Sequence, residues 1–426
     1  MTYSSQLINE ISSNKYNQLL TDIYIDSASI NYQKQRYIAA IVRYEQLFGS
    51  GDVEIYSAPG RSEIGGNHTD HQHGEVLATS INQDIIAIVS KTNEPYVQIV
   101  SDQNDMISLN LDSLEKNPDE EGTTTALIKG ILSRTKELNY NIGGFKAYLT
   151  SDVLIGAGLS SSAAFETVIG SIISGLYNNM KISPVDIAFI GQYAENEYFG
   201  KPCGLMDQMA SSIGNMIHIN FKEPKNPIVN RIDFHMEEHG YSLCIVNTKG
   251  SHSDLTADYA AIPKEMKAVA ACFDKEVLSE VKYNDVLSNI NLIRNKVNDR
   301  AVLRAIHFFE ENMRVIKEVE ALKSNNIAEF LELVKLSGNS SFKYLQNIYT
   351  NNDVAHQNIS IALATSDCFL GENGVSRIHG GGFAGTIQTF VKNDFVNDYK
   401  RKMEEIFGVD SCTVLKVRKY GGIKVL

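Results

Sequence analysis

Gly158-Leu159-Ser160-Ser161-Ser162-Ala163-Ala164 joins the residue types that hold phosphate without a cationic side chain. Phe145, Ala147 and Leu149 alternate ahead of it as in a half-buried strand, Gly156 and Gly158 supply backbone freedom for a turn, and from Ser161 the pattern becomes helical. The first amides of a helix lack intrahelical partners and lie at the positive end of its dipole, so a polyphosphate can settle there with a serine hydroxyl free to ligate Mg²⁺. An ordinary capped helix behind a glycine turn fits the same residues. In residues 58–74, Arg61, His68 and Asp70 offer donors and acceptors of different geometry, as recognition of a polyhydroxylated ligand requires. This stretch is too polar and glycine-rich for a core and is expected as a loop; a solvated turn, or a metal site of His68, His71 and His73, is the alternative.

Two more stretches carry chemistry. In residues 194–208, Glu195 falls on an expected helix and Asp207 in the loop after it, which suits one metal ligand and one base. Among Gly204, Leu205 and Met206, Asp207 needs a cationic partner to stay ionised, and Arg61 is the candidate; a helix-capping aspartate is the plainer alternative. Gly380, Gly381, Gly382 and Gly385 precede a strand and imply close backbone approach, to a phosphate or to the first phosphate loop, or else a flexible turn.

The scaffold expected around these residues is α+β in two halves. Strands are expected at 53–58, 85–90, 96–101, 145–150, 241–247 and 386–391, from β-branched and aromatic enrichment. Helices are expected at 123–138, 300–322 and 328–336, and from the Ser183-Pro184 cap to about 199. The first 50 residues read as helical and largely polar, and the boundary between halves falls near 225–250. A chain of 426 residues is long for one core. Its 43% hydrophobic and 21% charged residues suit a soluble globular protein, and its net charge of -12 argues against nucleic acid or an anionic membrane as main partner. Five scattered cysteines without a C-x-x-C pair suit a reducing cytoplasm with no disulfide or zinc framework. The N-terminus lacks a basic stretch followed by an apolar core, and no 18-residue apolar run occurs, so neither secretion nor a membrane span is expected.

In order, these segments resemble the three motifs of the GHMP small-molecule kinase superfamily, and in detail those of galactokinases. Gly60-Arg61 with Gly66, His68-Thr69-Asp70, Gly74 and Val76-Leu77 resembles the galactokinase signature; Gly158 to Ala164 resembles the phosphate loop; Pro202 to Gln208 resembles the segment with the catalytic aspartate. Arg304, His307, Glu311 and Arg314, then Ser337 and Ser340-Ser341, and His252-Ser253 with Tyr259, extend the likeness over about residues 37–426. The resemblance implies a two-domain GHMP fold with mixed sheets packed against helices and the site in the cleft between domains. Its parts would be a helical extension at 1–36, an N-terminal domain at 37–235 and a C-terminal domain at 236–426.

It also implies transfer of the γ-phosphoryl of MgATP to the C1 hydroxyl of galactose by a cytoplasmic monomer. Asp207 would take or orient the hydroxyl proton, with Arg61 keeping it ionised. Ser162 and Glu195 would hold Mg²⁺, and the amides of Gly156, Gly158, Leu159, Ser160, Ser161, Ser162 and Ala163 the phosphates. Asn67, His68, Asp70, Gly204 and Tyr259 would contact the sugar. Asn67, however, stands where the family has a glutamate expected to bond the C6 hydroxyl, Glu63 where it has asparagine, Gly65 where it has isoleucine, His379 for threonine and Ala384 for glycine. Ala384 is expected to need a negative φ. An amide at 67 removes a charge that would repel a C6 carboxylate, so galacturonate or another C6-modified galactose is an alternative substrate. A catalytically silent galactose sensor is another class, disfavoured by the intact Ser160 to Ala164 run. A mevalonate or homoserine kinase is disfavoured by His68-Thr69-Asp70 and the 203–208 segment.

Overall fold

β-Branched and small residues build two long antiparallel strands, Asp52–Gly65 and Glu75–Lys91. The computed structural model describes residues 2–102, 105–154, 158–250 and 255–426. The stretch from Ala58 to Gly65, expected as a loop, is instead the second half of a strand buried to its end. Its polar groups tolerate burial because they are paired: Ser62 Oγ accepts from Gln388 at 2.8 Å, and Glu63 meets Arg377 at 2.7 Å. The pairing slips twice, between Pro59 and Arg61 and between Glu63 and Gly65. Such irregularities re-aim side chains, and here they flank Arg61 and Glu63.

Phe145–Ser151 pairs with Glu75–Lys91 on the far side, Tyr96–Ser101 lies parallel to it, and Ile107–Asn110 ends that edge. The parallel neighbours are joined through the helix Thr124–Glu137, since parallel strands need a long crossover. Met216–Asn220 pairs with the start of Glu75–Lys91 and carries Ile228–Ile232 beside it. A second, antiparallel sheet runs Gly374–His379, Thr386–Lys392, Tyr241–Asn247, Cys412–Leu415. The expected α+β class, mixed sheets against helices, is the one observed.

The first fifty residues are helical as expected, but their inner face is apolar. Leu7 and Ile11, Leu20 and Ile23, and Tyr37 and Ile41 recur at helical spacing and pack on Val53, Ile55, Ile86 and Ile88 of the first sheet. The helix Ile30–Phe48 runs unbroken across residue 36, and Ile423–Lys424 returns from the C-terminus to pair with Asp52–Gly65. No helix among the described residues is long and apolar enough to cross a membrane.

Candidate active site

The helix Ser161–Asn178 begins where the sequence places it. Gly158 and Ser160 before it adopt φ +68° and +54°, which turns the chain sharply from the strand side into the helix. Gly156 lies outside the described residues. Ser161 and Ser162 line a cavity of about 320 Å³ whose walls are Ile85, Leu149, Thr150 and Ser151 on one side and Leu127, Phe165 and Phe199 on the other. An apolar slot opening on a helix start suits a flat base joined to phosphates. The side chains of Leu159 and Ala163 are buried, so these two can offer only main-chain groups. The Leu159 carbonyl is taken by the Arg61 amide at 3.0 Å.

Asp207 is not in a loop but in the first turn of the helix Met206–Ile213. Arg61 grips it with both arms of its fork, Nε to Oδ1 at 2.7 Å and Nη2 to Oδ2 at 2.6 Å, while Nη1 donates to the Gly158 carbonyl. Ser160 Oγ adds a bond to Oδ2 at 2.7 Å. Burial alone would push this carboxyl up; Arg61, then Ser160 and Lys201, overcome it and hold Asp207 below the usual range. The Ser160 bond ties the phosphate loop to Asp207 directly. Sequence reasoning gave Ser160 only a main-chain role, because the direction of its hydroxyl depends on a left-handed φ that serine seldom adopts.

Glu195 lies in a π-helical turn, Ala194–Phe199, where the sequence led us to expect a continuous α-helix. Such turns are frequent at functional sites. Its Oε1 meets Lys201 Nζ at 3.2 Å and its Oε2 accepts from Gln208 at 3.0 Å. Gln208 also donates to Glu166 at 3.0 Å, while the other Glu166 oxygen is buried without a partner. Burial, then the nearby Glu195, drives the Glu166 carboxyl well above its ordinary range. Glu166 lies one helical turn beyond Ser162 on the same helix and close to Glu195. Hard oxygens of this kind fit Mg²⁺, and a cation would relieve the crowding. Among the described residues no three His, Cys, Asp or Glu side chains form a metal cluster, so phosphate and water oxygens would complete the coordination. Glu166 was not legible in the sequence, where it reads as one more helix residue.

Arg61 also lines a cavity of about 230 Å³, together with Glu63, Asn67, His68, Asp70 and the Gly380 and Gly381 backbone. Burial raises Asp70 to about 6, with Asp207 adding to the effect, and raises Glu63 to about 7 against the pull of Arg377 and Arg61. Burial lowers His68 to about 4, which leaves it neutral near pH 7. Gly204 packs on Asp70, since a Cβ there would sit 2.0 Å from Asp70 Oδ2. Tyr259 donates to the Gly382 carbonyl at 2.7 Å; His252 and Ser253 lie outside the described residues.

Asn67 is held on every side. Its amide donates to Glu63 at 3.0 Å and to the Gly380 carbonyl at 2.7 Å, and its oxygen accepts from Asn347 at 2.9 Å. Behind it, His307 bridges the Asn67 carbonyl and Ser340, each at 2.9 Å, and Glu311 accepts from the Gly66 amide and Ser337 while pairing with Arg314. Arg304 turns away, to Glu265 and the Leu345 carbonyl.

The glycine loop was expected against a phosphate or the phosphate loop. Its carbonyls at Gly380, Gly381 and Gly382 instead receive Asn67, His68 and Tyr259. His379 Nδ1 and Thr386 Oγ1 stand against the phosphate loop, 3.0 and 3.1 Å from where a Cβ on Gly158 would be. Positive φ in this loop falls on Gly380, Gly382, Phe383 and Gly385 and not on Ala384, so alanine is accommodated there. Gly65 lacks a side chain because the Glu318 carboxyl fills that space, 2.0 Å from a Cβ position.

Comparison with known proteins matches the galactokinase galactose-binding signature at residues 42–91 and the GHMP kinases N terminal domain at residues 126–215. A galactokinase of Glaesserella parasuis serovar 5 is 29% identical over 366 residues, 85% of this chain and 91% of that protein. A galactokinase of Streptomyces coelicolor is 27% identical over 365 residues, 86% and 91% of the two. Lactococcus lactis galactokinase, solved with galactose, superposes with a TM-score of 0.77 at 22% identity, covering 90% of this chain and 98% of that one. Methanococcus jannaschii mevalonate kinase superposes with a TM-score of 0.61 at 18% identity, covering 86% and 99%. These structural likenesses carry the fold; in sequence the chain is similar to galactokinases along most of both chains, and the galactokinase galactose-binding signature spans the segment from Arg61 to Asp70.

Proposed function

We propose that this protein transfers the γ-phosphoryl group of ATP to the C1 hydroxyl of galactose, giving galactose 1-phosphate and ADP. The observation that carries this reading is the Arg61 fork on Asp207: Arg61 lines a cavity of carboxyl and imidazole groups, and Asp207 is bonded to Ser160, next to the Ser161 and Ser162 that line the cavity at a helix start. ATP would lie with its base against Phe165 and Phe199 and its phosphates on the amides from Gly158 to Ala163. A hexose would fill the second cavity, its hydroxyls donating to Asp70 and to Nδ1 of neutral His68, whose Nε2 donates to the Gly381 carbonyl. Gly204 leaves Asp70 its place beside that cavity.

Asp207 orients the C1 hydroxyl and takes its proton at a carboxylate oxygen as the bond to phosphorus forms. Held low by Arg61, it is a weak base, which suits phosphoryl transfer through a loose transition state in which positioning and charge carry most of the catalysis. Arg61 keeps Asp207 ionised and offsets charge on the group in transit. Ser160 fixes the carboxylate against the phosphate loop. Ser162 and Glu195, with Glu166 close by, would hold Mg²⁺, which when bound neutralises phosphate charge. Scattered cysteines and an acidic balance support a cytoplasmic enzyme, taken as a monomer with residues 37–235 and 236–426 as its two halves.

Asn67 is committed to protein partners, and Glu63 is the carboxyl that lines the cavity beside it. A C6 carboxylate brought to this end would be repelled by Glu63 where that carboxyl, raised to about 7, is ionised, which favours galactose over galacturonate above neutral pH. An ADP-release screen over galactose, galacturonate, fucose, N-acetylgalactosamine and glucose tests the reading. Galactose is expected to lead, with glucose poor because each buried polar group left unpaired costs about 1–3 kcal/mol. Galacturonate as the preferred substrate would overturn the Glu63 argument. ATP binding with no ADP release from any sugar would point to the silent sensor.

A further inference from the structure

We propose that the N-terminal helices position the wall of the nucleotide cavity, with Arg36 and Tyr32 as positioning residues that act through Asp152. The inference rests on reading that cavity as the ATP site. The strands Glu75–Lys91 and Phe145–Ser151 pair as far as Ile85 with Ser151, and their ladder ends there. Ile85, Thr150 and Ser151 at that end form the cavity wall. Beyond the last pair, Arg36 takes over the cross-linking. Its Nη2 donates to the carbonyls of Asp84 at 2.8 Å and Thr150 at 3.2 Å, and its Nη1 meets Asp84 Oδ1 at 2.7 Å and Asp152 Oδ2 at 3.0 Å. Tyr32 donates to the other Asp152 oxygen at 2.9 Å, and the Asp152 amide closes the loop on the Asp84 carbonyl at 2.9 Å.

One guanidinium from outside the sheet therefore fixes both backbones that carry the wall. The planar fork is what makes this possible, since an ammonium cannot reach four oxygens in a plane. The anchor itself is rigid. Asp84 is fully buried, and it also accepts from Tyr24 of the same helical segment, from Ser57 and from Arg418 near the C-terminus. Burial would raise its pKa, but Arg36 and Arg418 hold it low, so it stays charged and keeps its grip. Among the described residues no hydrogen bond or ion pair ties Arg36 to the residues lining the sugar cavity, so the effect of its substitution is expected on the nucleotide side.

The test compares Arg36→Lys, Asp152→Asn and Tyr32→Phe in the full chain, measuring KM for each substrate, MgATP affinity by calorimetry, and Tm. Arg36→Lys and Asp152→Asn are expected to raise KM and Kd for ATP about three- to tenfold while galactose KM stays within about twofold. Tyr32→Phe, which removes one bond at an exposed ring, is expected to raise ATP KM about twofold with Tm unchanged. Should Arg36→Lys fail to fold, the other two variants decide. An equal rise in both KM values, or a fall in Tm with ATP affinity unchanged, would reduce Arg36 to a structural clamp and overturn the inference. Wild-type protein that binds no ATP would remove the nucleotide reading and this inference together; wild-type binding matched by all three variants would remove the inference alone.

Discussion

Asp207→Asn is expected to lower kcat by roughly 10²–10⁴ while leaving ATP affinity close to wild type. Asparagine keeps the shape but removes the charge that Arg61 and Ser160 are arranged to hold, and it turns an amide donor toward a guanidinium that can only donate. The phosphate contacts are proposed on main-chain amides, which Asp207 reaches only indirectly, through the Ser160 hydroxyl and through Arg61 on the Gly158 carbonyl, so turnover should fall far more than binding. Steady-state kinetics paired with MgATP calorimetry measures both. Wild-type turnover in this variant would take Asp207 out of the mechanism.

Arg61→Lys is expected to lower kcat/KM by about 10²-fold and to move the acidic limb of the pH profile upward. Lysine keeps a positive charge yet cannot hold both oxygens of Asp207 and the Gly158 carbonyl at once. The direction of the pH change follows from the balance at Asp207. Burial raises its pKa and Arg61 lowers it, with Arg61 prevailing in the native site. Weakening that partner lets burial gain, so the carboxylate is protonated, and activity lost, at a higher pH than in the wild type. A log kcat profile against pH reads this out. An unmoved limb alongside a slowed enzyme would mean that Arg61 serves the transferring phosphoryl group and not the ionisation of Asp207.

Much of the site was legible because its chemistry is local in sequence. The glycine-serine turn, the Ser183-Pro184 cap, whose hydroxyl accepts from the Asp186 amide at 3.0 Å, and the strands Tyr96–Ser101 and Tyr241–Asn247 each follow from neighbouring residues. The Arg61 to Asp207 pair was also reachable, since a carboxylate among apolar residues demands a cation. What escaped depends on long-range pairing. Residues 58–65 look like a polar loop until Arg377 and Gln388, more than three hundred positions later, satisfy Glu63 and Ser62. A similar separation hides the commitment of Asn67 to Asn347, 280 positions on, and to Gly380. Several helices were missed as well, among them Thr256–Ala271, where Pro263 inside the run argues locally against a helix that tertiary packing nevertheless supports.

The central claim is that Asp207 and Arg61 direct phosphoryl transfer to one hydroxyl, the one at C1. Proton-coupled phosphorus NMR of a reaction with galactose and ATP tests it most directly, because the coupling identifies the carbon that bears the phosphate. One sugar phosphate per ADP, attached at C1, is the predicted result. A phosphate at C6 or another ring position, or ADP formed without any sugar phosphate, would contradict the account.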